Sequence, residues 1–116
     1  MPSILLLNEA AAMLNSGCAI VSTSVPAISG TYALDNVSLL KLGFTALYVH
    51  VNGKFPGGGA TWTLKDMNGL DRVVPDAAAF LRLASAIAEH VVLLNQIIDN
   101  VGGAPTSLPA QPKVIA

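Results

Sequence analysis

The stretch PDAAAFLRLASAIAEHVVLLNQIIDNVGG, residues 75–103, governs the reading of the whole chain. Pro75-Asp76 is a helix-opening pair and Gly102-Gly103 a stop, so the spacing predicts one long helix over 77–101. On a heptad wheel Phe80, Ile87, Leu94 and Val101 fall seven apart, with Leu83, His90 and Ile97 three residues after the first three. Ala84, Val91 and Ile98 flank them on one side and Ala79, Ala86, Leu93 and Asn100 on the other; Arg82, Ser85, Glu89, Gln96 and Asp99 lie opposite. The stripe covers about four positions of seven, wider than a two-stranded seam requires.

Length sharpens the point. A helix over 77–101 spans about 37 Å, whereas a compact chain of this size has a radius of gyration of about 13 Å and a diameter near 35 Å. The far end is therefore expected to overhang, although each apolar side chain there stabilises by about 1.5–3 kcal/mol when buried. Either the stripe packs internally against a hairpin and a second helix, or part of it meets another subunit. On the second reading the interface comprises Phe80, Ile87, His90, Leu93, Leu94, Ile97, Ile98 and Val101. His90 reads as a buried neutral imidazole bonded to a carbonyl or to its symmetry mates, because His50 stands outside any metal-ligand spacing to it.

Working outward, Asn8 as cap, Glu9 in the first turn and Gly17 as left-handed stop predict a short helix over 8–17. Residues 18–24 read as a strand and 31–34 as its partner, with Val25-Pro26 and Ser29-Gly30 between them. Asp35-Asn36 caps a second helix over 37–51, whose β-rich end, 45–51, is also compatible with a strand. Residues 52–59 form a Gly-rich break without regular structure. Residues 60–64 and 70–74 pair as a hairpin around Asn68-Gly69. The order strand, Gly turn, strand, Asp, helix thus occurs at 18–51 and again at 60–101. This predicts an α+β domain over 1–103: two β-hairpin–helix units, a short N-terminal helix, and a long C-terminal helix on a small antiparallel sheet. Residues 104–116, with Pro105, Pro109 and Pro112, read as an extended tail.

Composition narrows function. The chain has 116 residues, 53% of them apolar and 11% charged, with a net charge of −1. It offers no basic footprint for nucleic acid. No stretch approaches about 18 uncharged apolar residues, so no membrane span is expected. The apolar run at Leu5-Leu6-Leu7 follows no Lys or Arg and is cut by Asn8 and Glu9, too short for a signal core. Asn15-Ser16-Gly17-Cys18 fits a lipoprotein cleavage site poorly. Cys18, the single cysteine, reads as a small core residue. Gly57-Gly58-Gly59 lacks the Lys-Ser/Thr of a phosphate loop. Asp66 and Asp71 read as solvated carboxylates at a hairpin tip. Trp62, with Tyr32, is either core or a stacking platform for a sugar. No catalytic residue, metal site or cofactor is expected.

The motifs also carry a resemblance. Ile20-Val21-Ser22-Thr23-Ser24, Pro26-Ala27 and Gly30-Thr31-Tyr32-Ala33-Leu34-Asp35 resemble the opening of small proteins encoded in bacteriophage and prophage tail-gene neighbourhoods. Phe55-Pro56-Gly57-Gly58 is similar to their central loop. Trp62-Thr63-Leu64-Lys65-Asp66, Asn68-Gly69 and the Ala-rich helix through Ala86-Ile87-Ala88-Glu89-His90-Val91 resemble a domain common at the C-termini of phage tail-fibre proteins. The resemblance covers about residues 18–95, and the tail after Gly103 departs from it. It implies a non-enzymatic virion structural protein, tail-fibre or tail-associated, with capsid decoration or a head-fibre component as variants. Such a part is made in the bacterial host cytoplasm and built into the virion as a homo-oligomer among other virion proteins. The alternatives are a fibre-assembly chaperone absent from the finished particle and a carbohydrate-binding fibre tip.

Overall fold

The computed structural model describes residues 4–99 and 105–116. Among them the order is α1 (Ile4–Ser16), β1 (Cys18–Ser22), β2 (Gly30–Tyr32), α2 (Asn36–Asn52), β3 (Trp62–Lys65), β4 (Asp71–Val74), α3 (Ala77–Ile98) and β5 (Lys113–Ile115). The fold is α+β. Short turns at Pro26–Ile28 and Pro56–Gly58 join the elements of each half; the second lies in the 52–59 segment, expected to lack regular structure.

The local chemistry of the helix starts follows the residues. The Asp35 carboxylate accepts from the Ser38 amide at 3.1 Å and that of Asp76 from the Ala79 amide at 2.8 Å, so each half opens its helix with the same cap. The β-rich segment 45–51 is helical throughout, and α2 ends at Gly53 with φ 68°. Gly17, at φ 85°, turns α1 into β1; a Cβ there would sit 2.8 Å from Met67 Sδ and 2.9 Å from the Tyr32 carbonyl, so only glycine fits.

Three features differ from expectation. First, α1 already includes Ile4, the first described residue, so Asn8 lies inside it rather than capping it. Leu6, Leu7, Met13 and Leu14 lie along α3, and that contact outweighs the local cap signal. Second, the hairpins do not share a sheet: β2-β1-β5 form one and β3-β4 another. Thr31 O, accepting from the Met67 amide at 2.7 Å, ties the second hairpin to the first. Third, the C-terminal tail folds back into the domain. β5 runs parallel to β1, pairing Ile20 with Lys113 and Ser22 with Ile115, and makes the first sheet mixed. Gln111 Oε1 accepts from the Ala19 amide, and Lys113 forms an ion pair with Glu89 of α3.

The core has two parts. Cys18, Ile20, Ile28, Tyr32, Val74, Phe80, Leu83 and Ile87 build the main one, between the sheets, α2 and the first half of α3. Ala10, Leu94 and Ile97 anchor a second, where α1 and Leu108 of the tail cover the far half of α3. The molecule measures 46 × 25 × 24 Å, with a radius of gyration of 14.8 Å. A 22-residue helix of about 33 Å fits inside that long axis. α3 is long and apolar enough to cross a membrane by length and composition. Its apolar side is the core, and Arg82 and Glu89 face outward.

Deleting residues 113–116 tests the tail's place. The Thr23 amide donates to Ile115 O at 3.0 Å, so its hydrogen exchange should accelerate at least about tenfold while mid-α2 amides keep their protection. Unchanged exchange at Thr23 would refute the β1–β5 pairing.

Candidate interaction surface

The stripe on α3 does not supply the expected interface. Phe80, His90, Leu94 and Ile97 have no exposed surface and Ile87 has 1%, all covered within one chain. Leu93 and Ile98 are half-buried, and Val101 lies outside the described residues. The physical reason is shape: the overhang assumed a sphere, whereas α1 extends the body along the helix and covers its end. Leu94→Ala should therefore destabilise the chain by about 2–5 kcal/mol in denaturant unfolding and leave its oligomeric state unchanged. Dissociation of an assembly without loss of stability would restore the α3 interface.

His90 is buried as expected, but neither ring nitrogen meets a hydrogen-bond partner among the described residues. Burial pushes the imidazole below its ordinary range, and the nearby Lys113 ammonium adds to the effect. The folded state thus holds His90 neutral while the unfolded chain protonates it near pH 6.5. Stability should fall as pH drops below about 6.5 and level off below the depressed folded value. His90→Leu should remove most of that slope and gain about 1 kcal/mol at pH 7, since an unmade hydrogen bond no longer costs anything. Thermal melts at pH 5 and pH 7 measure both effects.

Cys18 and Asp66 are buried in the fold, and Asp71 lies on its surface. Burial raises the Cys18 thiol to about 11, only partly offset by Lys113, so it stays protonated at neutral pH. Asp66 is not the solvated carboxylate expected at a hairpin tip. It is buried, and accepts from the Asn68 amide at 2.8 Å, the Leu70 amide at 3.0 Å and Arg72 Nε at 2.9 Å. Burial alone would raise its pKa; the Leu70 amide, Arg72 and the Asn68 amide together hold it below the usual carboxylate range. Asp71 stays exposed and pairs with Lys65.

Trp62 and Tyr32 do come together, lining a cleft of about 650 Å³ between α2 and the β3–β4 hairpin with Ser38, Lys41 and Thr63. Neither is a free platform. The Tyr32 hydroxyl donates to the Ile28 carbonyl at 2.6 Å, and its ring is buried. Trp62 is half-buried and stacks on Phe55 with centroids 5.8 Å apart and planes 20° apart. Phe55 in turn meets Phe80 edge to face.

The large exposed apolar surface lies instead on α2. Its inner side, Leu39, Leu42, Ala46 and Val49, packs into the core. Its outer side carries Val37, Leu40, Phe44, Leu47 and Val51, each 58–70% exposed, spaced 3, 4, 3 and 4 residues apart. This face was missed because α2 has two apolar sides, and its polar line at Ser38, Lys41, Thr45 and Asn52 runs between them without marking which one faces the core. The alternating 3–4 spacing was the available signal. An apolar groove of about 540 Å³, lined by Gly43, Leu47, Ala88 and Val92 among others, runs beside this face between α2 and α3.

Compared with family models, curated proteins and solved structures, the chain matches none of them.

Proposed function

We propose that this chain is a non-enzymatic structural subunit of a bacteriophage particle, tail-fibre or tail-associated, held in its assembly by apolar helix packing. The outer face of α2 carries the reading. Contiguous exposed apolar surface of this kind marks a site of association. The helix is apolar on both sides, which suits a part whose second side is covered by a neighbour. The phage setting rests on the resemblance of residues 18–95 to tail-region proteins. A transient role as assembly chaperone uses the same surface, and the two are separated by whether the chain stays in the finished particle. A sugar-binding tip has less support, because the Tyr32 hydroxyl and one side of Trp62 are already engaged.

Mass spectrometry of purified particles, produced by a host carrying the gene, tests the reading. The structural role expects the chain at a fixed ratio to other virion proteins. Intact particles lacking it, alongside defective fibres when the gene is deleted, would overturn that role in favour of the chaperone.

A further inference from the structure

We infer that a second copy of this chain covers the outer face of α2, the two α2 helices running parallel. The inference rests on the structural-subunit reading and names its partner.

Spacing comes first. Val37, Phe44 and Val51 recur every seven residues, as do Leu40 and Leu47 between them. These are the a and d positions of a two-stranded seam, and Val37 and Val51 at a with Leu40 and Leu47 at d suit two strands rather than three or four, with Phe44 the larger residue at the central a. The seam points directly away from Leu42 and Val49, which pack into the body, so two copies meet along α2 with their bodies on opposite sides.

Gly43 supplies an independent observation. Glycine inside a helix is destabilising, and nothing in this chain requires it, since a Cβ there would meet no atom within 4 Å. Gly43 falls at a g position and Tyr48, five residues on, at an e position. In a parallel pair g of one helix faces e of the other. The missing side chain at Gly43 thus leaves room for the second copy's exposed Tyr48, at the mouth of the α2–α3 groove.

Chemistry excludes charged occupants. Lys41 is the sole Asp, Glu, Lys or Arg on α2, so the face selects neither a basic nor an acidic partner. It also lacks the basic cluster that anchors a helix on an anionic membrane. Its exposed side chains offer about 600 Å² per copy, and the pair about 1,200 Å², the lower end of a standard interface.

Sedimentation equilibrium on the full chain, with Phe44→Asp and Leu47→Asp as variants, provides the test. The wild type should dimerise, and each variant should raise the dissociation constant at least about thirtyfold. The circular dichroism spectrum should stay that of the wild type, since both positions are exposed. Gly43→Leu, which fills the space for Tyr48, should weaken the dimer as well. Cysteine substituted at Val37 should cross-link to its own counterpart in a parallel pair. A wild-type chain that stays monomeric at high micromolar concentration, or a dimer indifferent to Phe44→Asp, overturns the inference. Neither result touches the virion reading, which fails only on the composition of the particles.

Discussion

The burial of α3 is the constraint to which the other elements answer. Its wide stripe needs cover along about 33 Å, more than one hairpin and one helix supply. The first half is covered by α2 and the sheets, around Phe80, Leu83 and Ile87. The second half is covered by the two ends of the chain, α1 and the tail at Leu108, around Leu94 and Ile97. The elongated shape follows directly. Each element is placed by what it covers, with Ala10 of α1 inside the second part of the core and Leu108 of the tail packed against it.

That arrangement sends the surplus of apolar surface to α2. With α3 enclosed, α2 lies between a packed side and an open one, and both are apolar. The inner residues are drawn in by fit against Ala84, Ile87 and Val91 of α3, leaving Val37, Leu40, Phe44, Leu47 and Val51 outside. The apolar stripe expected to face a partner was placed on α3 from its width and length, whereas the large exposed apolar residues in heptad spacing lie on α2.

What the sequence made legible was local. Asp35 and Asp76 cap their helices, Gly17 ends α1, and Asn68-Gly69 turns a hairpin, because each acts within a few residues of itself. The α+β class followed from these signals. What stayed hidden depended on distant partners. The continuation of α1 ahead of Asn8 is set by α3, some eighty residues later, against which Leu6 and Leu7 pack. β5 is three residues long in a proline-rich segment, and only β1 makes it a strand. Asp66 resembles a solvated turn residue until Arg72 and two amides close on it. At the proposed surface the same limit applied: periodicity marked both sides of α2 as apolar, and only the packed body shows which side remains open.

The joining of β1 to β5 also shapes how the molecule comes to be. Thr23 and Ile115, bonded across this junction, are 92 positions apart. Closing so long a loop has a conformational entropy cost that short-range structure avoids. The hairpins and capped helices can form from neighbouring residues, whereas the three-stranded sheet needs Lys113–Ile115, synthesised more than ninety residues after β1, to leave the ribosome. Until then the hydrogen-bonding edge of β1 stands open beside hydrophobic residues, the state in which newly made chains are most prone to aggregate.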